Sequence, residues 1–235
     1  MSRLEASRLR KSLRLYLVLG SANCKIDPAI VVEEAIRGGV TLVQFREKGG
    51  NALKGAEKEE LARRIHTICR RFGIPLIIND DVDLAIAIDA EGVHIGQEDE
   101  PADQVRKRIG DKILGLSVHS MEEAELADHR IVDYMGVGPI FPTLSKDDAR
   151  EAQGPGVIRE MKLKNVTLPI VGIGGISMER ASEVIDAGAD GIAVISAITG
   201  AADHGAAAQK LVCEVAASIE RRGSSQSHQK DDTTK

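Results

Sequence analysis

Two carboxylates follow neighbouring apolar runs of the sequence, in positions where they could share a divalent cation. Asp80 ends the run PLIIND, and Asp99 follows the next run, GVHIG. On adjacent strands these two hard oxygen ligands would meet at one Mg2+, which keeps water molecules for a further ligand. The alternative is that Asp80 and Asp81 cap the helix that follows them. Because Asp99 repeats the position of Asp80 one strand later, we assign Asp80 to the cation site and leave Asp81 open between both roles.

Three basic residues follow other apolar runs and add positive charge near the two carboxylates. Arg46 and Lys48 come after the run TLVQF, and Lys146 lies beyond the run DYMGVG. Carboxylates, a metal ion and fixed cations together neutralise the charge of a departing diphosphate. These residue types therefore indicate a reaction in which a diphosphate leaves.

A glycine-rich turn is the candidate for a second, phosphate-binding site. The run PIVGIGG ends in Gly174 and Gly175, and a helix predicted from Ser177 leaves backbone N–H groups at its start for an anion. Ile195 and Ser196 end the next run and complete the same corner. In α/β barrels the loops after strands seven and eight frequently bind phosphate. The alternative is that these glycines only allow close packing.

Two histidines and a cysteine are weaker candidates. His94 lies inside the run GVHIG, where a hydrogen-bonded core histidine is favoured over a catalytic one. His119 lies nearer the predicted strand end, and its position fits a solvent-facing residue and an acid or base equally well. Cys24 follows the first run, but the local sequence offers no partner base, so we predict no nucleophilic role.

Eight short apolar runs must position these residues, and a helix-length segment separates each run from the next. The runs are continuously apolar rather than alternating, which indicates strands covered on both faces and hence parallel pairing. Eight such units predict an α/β fold of the (β/α)8 TIM-barrel type, with the polar residues at the carboxyl ends of the strands. An open, doubly wound sheet uses the same units, but no Gly-x-Gly-x-x-Gly motif follows the first run. The runs are LYLVLG from Leu15, TLVQF from Thr41, PLIIND from Pro75, GVHIG from Gly92, ILGLSV from Ile113, DYMGVG from Asp133, PIVGIGG from Pro169 and DGIAVIS from Asp190.

A single barrel accounts for most of the 235 residues. We predict a basic, solvated amphipathic helix over residues 1–14, one catalytic barrel over 15–222 and a disordered polar tail over 223–235. The segment 141–156 contains prolines and many charges, and we predict that it forms a mobile lid over the mouth of the barrel.

Composition excludes several classes of protein. The chain has 31 basic and 36 acidic residues, so no overall positive field draws it to nucleic acid or to an anionic membrane. With 3 Phe, 2 Tyr and no Trp, it lacks the rings on which single-strand binders stack bases. No apolar stretch reaches the ~18 residues of a membrane span. The 3 cysteines are too far apart for a disulfide framework or a zinc motif, which favours the reducing cytoplasm.

Six motifs, in order, resemble the thiamine phosphate synthase family. The resemblance extends from about Leu15 to about Val212, and each motif lies at the end of a predicted strand. The motifs are QFREK at Gln44–Lys48, NDD at Asn79–Asp81, HIGQED at His94–Asp99, GPIFPTLSK at Gly138–Lys146, VGIGGI at Val171–Ile176 and ISAI at Ile195–Ile198. In one departure, Ser145 stands where the family commonly has threonine, which keeps the hydroxyl. In another, the segment AQGPGVIREMK lacks the more usual glycine and leucine pattern.

The resemblance implies a Mg2+-dependent transfer, with Asp80 and Asp99 as the metal ligands. The 4-amino-2-methylpyrimidin-5-ylmethyl group of a pyrimidine diphosphate would join a thiazole phosphate, giving thiamine phosphate and diphosphate. The implied pyrimidine diphosphate contacts are Gln44, Arg46, Lys48, Asn79, Ser117 and Lys146, of which Arg46, Lys48, Ser117 and Lys146 would be catalytic. The implied thiazole phosphate contacts are Thr143, Ser145, Gly175, Ile195 and Ser196. Phe45, Glu47 and Leu144 lie next to these residues in the same motifs, and we assign them to substrate binding as well.

Two other functions stay open on the sequence alone. A thiazole tautomerase resembles this chain in the barrel, the phosphate corner and a histidine in a context like Val118–Ser120, but it expels no diphosphate. A phosphate-ligand sensor without turnover is the other, because a barrel scaffold does not dictate function. The set of Asp80, Asp99 and Lys146 favours the synthase over both. The sequence excludes neither a homo-oligomer nor a carboxylated form of the thiazole phosphate.

Overall fold

The computed structural model describes residues 5–143, 145 and 150–231. In this part of the chain, eight parallel strands pair in sequence order and form a closed barrel. Each strand lies in one of the eight predicted runs, and the pairing of Tyr16 with Ala193 joins the last strand to the first. The predicted TIM barrel is therefore confirmed. The strands are β1 Leu15–Leu19, β2 Leu42–Phe45, β3 Leu76–Asn79, β4 Gly92–Ile95, β5 Ile113–Val118, β6 Tyr134–Val137, β7 Ile170–Ile173 and β8 Gly191–Val194.

Helices surround the barrel, and several of them begin directly after a residue whose side chain caps the helix. Asp27 accepts a hydrogen bond from the Ala29 N–H at 2.9 Å, which satisfies a backbone donor at the start of the second helix. None of the described helices has the length and hydropathy that crossing a bilayer requires. The helices are α1 Ala6–Ser12, α2 Pro28–Arg37, α3 Gly55–Phe72, α4 Val82–Ala87, α5 Ala102–Ile109, α6 Met121–Leu126, α7 Gly156–Leu163, α8 Ala181–Asp186, α9 Ser196–Thr199 and α10 His204–Asp231.

The apolar core has two layers, because strand side chains alternate between the two faces of the sheet. The outer layer lies between the barrel and the helices and includes Leu17, Val43 and Ile78. The inner layer fills the barrel and includes Val18 and Ile77. Residues next to each other in the sequence thus enter different layers, which explains why the strands read as continuous apolar runs.

The amino-terminal helix α1 packs against the inner layer, which corrects the prediction of a solvated helix. Leu9 and Leu13 are buried among the residues that fill the barrel. They are four residues apart and so lie on one face of the helix. The Leu13 carbonyl lies beside Gly191, the first residue of β8, where an added Cβ would come within 1.8 Å of the carbonyl oxygen. The helix therefore closes the barrel at the amino-terminal ends of its strands.

We expect Leu13→Ala to lower the free energy of unfolding by about 2–5 kcal/mol, because the substitution leaves a cavity in the inner layer. Leu163→Ala is the matched control, since the Leu163 side chain is 78% exposed on α7. The control should change stability by no more than about 0.5 kcal/mol. Urea denaturation measures both values, and equal stability of the two variants would contradict a buried role for α1.

The carboxyl-terminal helix α10 differs from its prediction. Residues 223–231 are helical in the structure, whereas their polar composition predicts disorder; residues 232–235 lie outside the described part. Leu211 and Val215 bury one face of α10, and each residue added to an existing helix contributes one backbone hydrogen bond at little further cost. Helix propagation therefore carries α10 beyond its last apolar residue.

The predicted lid falls partly outside the described residues, which omit 144 and 146–149. The carboxyl-terminal part of this segment is described, and backbone hydrogen bonds join it to the loop after β6. The Gln153 N–H donates to the Pro139 carbonyl and the Gly154 N–H donates to the Ile140 carbonyl, each at 2.9 Å. Movement of this segment over the barrel mouth stays a prediction.

Candidate active site

A cavity of about 240 Å³ opens at the carboxyl ends of the strands. Residues of β3 to β8 and of the loops that follow the strands line it, so the polar strand ends do converge on one site. The sequence-predicted site residues that line the cavity are Arg46, Lys48, Asn79, Asp80, Asp99, Ser117, Thr143, Ser145, Gly175, Ile195 and Ser196. Two further predicted residues, Leu144 and Lys146, lie outside the described part of the chain.

Two residues assigned through the QFREK motif do not line this cavity. Phe45 is buried in the outer layer between the barrel and the helices. Glu47 accepts hydrogen bonds from the N–H groups of Ser21 and Leu53, both at 2.8 Å, so it holds together the loops after β1 and β2. Alternation along the chain explains both positions, because neighbours of an inward-facing residue face outward.

Gln44 faces inward but does not line the cavity either. Its side chain is buried, and its Nε2 donates to the phenolic oxygen of Tyr16 at 2.7 Å. Tyr16 belongs to the inner layer of the barrel. Gln44 therefore contacts a group inside the barrel, while Arg46, two residues later, contributes to the cavity wall.

Asp80 and Asp99 form the acidic pair that the sequence predicts. The Asp80 backbone has a φ of 61°, and its Oδ2 accepts from the Lys48 Nζ at 3.0 Å. Asp99 Oδ2 accepts the Gly96 N–H at 2.7 Å. Burial raises the pKa of Asp80 above its ordinary value, and a hydrogen bond with the Asp99 carboxyl raises it further, whereas Lys48 acts in the opposite direction. Two carboxyls held this close favour either a shared proton or a cation between them.

Asp81, by contrast, caps a helix. Its Oδ1 accepts the Leu84 N–H at 2.9 Å, and its Oδ2 accepts from the Lys58 Nζ at 2.6 Å. Burial alone would raise the pKa of Asp81, but the bonds from Lys58 and Leu84 outweigh it, so the pKa is lowered. The capping interpretation therefore holds for Asp81, while Asp80 enters the cavity.

The acidic pair is a partial metal site rather than a complete cage. Among the residues that the structure describes, no group of three or more His, Cys, Asp or Glu side chains is arranged to hold a metal ion. Mg2+ is commonly bound by one or two carboxylates, with water molecules and substrate phosphates supplying the other ligands. The donor set of Asp80 and Asp99 fits this mode of binding.

The predicted phosphate corner brings together donors from distant parts of the sequence. Ser145 Oγ lies 3.2 Å from Ser196 Oγ, and the Ser145 N–H donates to Thr143 Oγ1 at 3.2 Å. Gly175 has a φ of 61°, and a Cβ there would lie 2.5 Å from the Pro142 carbonyl oxygen. Hydroxyl groups and a backbone without side-chain cover therefore meet at one corner of the cavity.

The chain after this corner is not the α-helix that the sequence predicts from Ser177. A short 3-10 turn covers Met178–Arg180, and α8 begins only at Ala181. Ser177 Oγ donates to the Glu179 carboxylate at 2.6 Å and caps no backbone N–H. The start of α8 therefore does not supply the phosphate donors that the sequence predicts at this corner.

The two histidines both line the cavity. His94 is only 8% exposed. It is therefore buried, as expected of a core histidine, and it also lines the cavity. His119 is held by one carboxylate, because Glu123 Oε2 lies 2.7 Å from its backbone nitrogen and 3.0 Å from its Nδ1.

Cys24 does not line the cavity. Burial, followed by the charges of Glu47 and Asp27, raises the pKa of its thiol to about 11. The side chain is therefore almost entirely in the less nucleophilic thiol form near neutral pH.

Comparison with known proteins decides the family. A family model described as thiamine monophosphate synthase matches residues 15–198. The chain belongs to the thiamine monophosphate synthase family. The family resemblance of the six motifs is thus confirmed, and so is the expectation of a transferase of thiamine biosynthesis.

Relatives and solved structures agree with this family. The chain is 54% identical to the thiamine-phosphate synthase of Geobacillus thermodenitrificans (strain NG80-2), over 92% of this chain and 97% of that protein. It is 53% identical to the thiamine-phosphate synthase of Geobacillus kaustophilus (strain HTA426), over 94% of this chain and 100% of that protein. The solved thiamine phosphate pyrophosphorylase from Pyrococcus furiosus is similar in fold, with a TM-score of 0.81 and 36% identity over 90% of this chain and 99% of that one.

In this member of the synthase family, sequence reasoning missed three side chains at or below the cavity. Arg150 lines it and lies 3.3 Å from Glu98 and 3.4 Å from Glu123. Tyr16 and Tyr134 lie inside the barrel with their phenolic oxygens 2.8 Å apart. The available signal for the tyrosines was a hydroxyl within an otherwise apolar run, because a buried hydroxyl needs a partner.

Proposed function

We propose that this family member transfers the 4-amino-2-methylpyrimidin-5-ylmethyl group from its diphosphate to 4-methyl-5-(2-phosphoethyl)thiazole, with Mg2+ as the cofactor. The products are thiamine phosphate and diphosphate. The observation that carries the proposal is that one cavity combines an acidic pair with neighbouring cations and, at another corner, a set of hydroxyl and backbone donors for a phosphate. Small molecules carrying phosphate groups are the partners that such a cavity suits.

The acidic side of the cavity would hold the leaving group. Arg46 is 6% exposed and lines the cavity, and an arginine keeps its charge at every physiological pH. Lys48 adds a second cation beside Asp80. Asp80 and Asp99 would hold Mg2+, which when bound supplies Lewis-acid neutralisation of the diphosphate oxygens. These groups favour breaking the carbon–oxygen bond, with the electron pair departing on the diphosphate.

The chemistry then requires alignment more than a strong base. Loss of diphosphate leaves a pyrimidinylmethyl cation that the ring amino group stabilises, and the thiazole nitrogen attacks it. The hydroxyls of Thr143, Ser145 and Ser196 and the backbone at Gly175 would hold the thiazole phosphate so that the nitrogen faces the cation. Holding two reactants in line is worth several orders of magnitude in rate, which suits a site with many fixed donors.

The deciding experiment combines both substrates and follows diphosphate release together with thiamine phosphate formation. We expect product only when both substrates and Mg2+ are present, loss of turnover in EDTA and recovery when Mg2+ is restored. Each form of the thiazole phosphate, carboxylated or not, is supplied in a separate reaction to identify the acceptor. Isomerisation of the thiazole without diphosphate release would indicate a tautomerase, and binding without turnover would indicate a sensor.

A further inference from the structure

A continuous chain of hydrogen bonds runs through the inside of the barrel and ends at the cavity. Gln44 Nε2 donates to Tyr16 OH at 2.7 Å, and the two phenolic oxygens of Tyr16 and Tyr134 lie 2.8 Å apart. Tyr134 OH lies 3.0 Å from His94 Nδ1, and His94 Nε2 lies 2.9 Å from Ser117 Oγ. Only His94 and Ser117 line the cavity, so the first three residues reach it through the histidine.

Two glycines make the space that this chain occupies. A Cβ on Gly115 would lie 2.2 Å from the Tyr134 ring and 2.4 Å from His94 Nδ1. A Cβ on Gly136, on the neighbouring strand, would lie 3.0 Å from His94 Cε1. Side chains at either position would displace the rings, because closely packed interiors leave no free volume. Because Gly115 and Gly136 have no side chains, the tyrosine and histidine rings can pack tightly in one arrangement.

Both phenols are neutral hydrogen-bonding groups. Tyr16 and Tyr134 are completely buried, and burial raises the pKa of each phenol above its ordinary value. A neutral phenol carries one proton, so it donates one hydrogen bond and accepts others. A tyrosine that accepts a hydrogen bond from one neighbour in the chain can therefore donate its own proton to the next.

The first donor of the chain favours one direction for all of its hydrogen bonds. With the Gln44 amide donating to Tyr16, every group of the chain has a partner when Tyr16 donates to Tyr134 and Tyr134 donates to His94 Nδ1. In a neutral imidazole one nitrogen accepts and the other carries the proton. A neutral His94 that accepts at Nδ1 donates from Nε2 to Ser117 Oγ, and the Ser117 hydroxyl can then donate into the cavity.

We propose that Tyr134 is a positioning residue, which sets the tautomer of His94 and thereby makes Ser117 a hydrogen-bond donor toward the leaving diphosphate. The inference rests on the proposed function, in which a diphosphate leaves, and on the family resemblance, which implies that Ser117 contacts the pyrimidine diphosphate. A donor already aimed at the oxygen where charge develops stabilises the transition state more than the bound substrate. Tyr134 thus acts on the rate of the reaction without touching either substrate.

The test compares Tyr134→Phe with the unchanged protein by kinetics and by NMR. We expect kcat to fall about 10- to 30-fold with the KM for the pyrimidine diphosphate changed less than about threefold, as for other indirect positioning contacts. 15N NMR of the neutral imidazole should show the Nε2-protonated tautomer of His94 in the unchanged protein and a mixture of tautomers in Tyr134→Phe. The His94 signal is identified by its loss in His94→Gln. Tyr16→Phe should lower kcat less, because Tyr134 can still donate to His94.

Ser218→Ala is the control for removing a buried hydroxyl elsewhere. Ser218 is fully buried on α10, where its hydroxyl lies 3.2 Å from Glu214 and 2.7 Å from Arg221. The kcat of Ser218→Ala should equal that of the unchanged protein. An Nδ1-protonated His94 in the unchanged protein, or an unchanged kcat in Tyr134→Phe, would overturn the proposal. If the unchanged protein makes no thiamine phosphate, the proposed function fails, and the NMR tautomer still decides the role of Tyr134.

Discussion

Asp80→Asn is expected to lower kcat for thiamine phosphate formation by about 1000-fold or more at saturating Mg2+. The loss corresponds to about 4 kcal/mol of transition-state stabilisation, within the several kcal/mol that a metal ion supplies to a charged leaving group. The substitution changes one oxygen for an amide nitrogen and keeps the shape of the side chain. Asparagine also tolerates the left-handed backbone that Asp80 adopts at a φ of 61°, so the local fold should survive.

The measurement is steady-state diphosphate release over a series of Mg2+ concentrations, with unfolding by urea as the check on the fold. Asp81→Asn is the matched control, because Asp81 is adjacent but caps α4 and pairs with Lys58. Asparagine is nearly as good an N-cap as aspartate, so this control should keep kcat within about threefold. Near-normal, EDTA-sensitive turnover in Asp80→Asn would show that Asp80 is not the metal ligand.

Gly175→Ala is expected to raise the KM for the thiazole phosphate by about 100-fold, because displacements near 1 Å at a binding site have effects of this size. The new Cβ would lie 2.5 Å from the Pro142 carbonyl oxygen and 2.8 Å from that of Phe141, so the backbone must move. The left-handed φ adds strain of about 1–3 kcal/mol for a residue with a side chain. The KM for the pyrimidine diphosphate should change little, since Gly175 is assigned to the other substrate.

Steady-state kinetics with each substrate varied in turn separates these two constants. Gly73→Ala is the matched control, because Gly73 has a similar φ of 68° but ends α3 at a point where an added Cβ would meet no atom within 4 Å. Gly73→Ala has the same φ strain without the clash, so it should keep both KM values. Equal changes of both KM values in Gly175→Ala would contradict a corner specific for the thiazole phosphate.

Local pattern was sufficient to find most of the site. In a parallel barrel every strand ends at the same rim, so a polar residue that directly follows an apolar run needs no further information to be placed there. Asp80 and Asp99 were found in this way, and both line the cavity. Motif membership was less informative, because Phe45 and Glu47 lie in the same motif as Arg46 but do not line the cavity.

Contacts between distant residues were beyond the reach of the sequence. The approach of Tyr16 to Tyr134 spans 118 residues, and that of His94 to Tyr134 spans 40. Neither pair leaves a trace in the spacing of residue types, because each depends on how the strands tilt and close. Asp80 and Asp81 show the same limit at short range, since only the positive φ of Asp80 separates the carboxylate in the cavity from the one that caps α4.

The sequence by itself determined the eight strand–helix units, their parallel pairing, the polar rim and the family, because these follow from residue type and order along the chain. The tertiary structure decided that Leu9 and Leu13 enter the barrel and that Tyr134 reaches His94. These outcomes depend on which side chains fit together in the closed interior. Such a fit is a property of packing in three dimensions, which periodicity along one dimension does not contain.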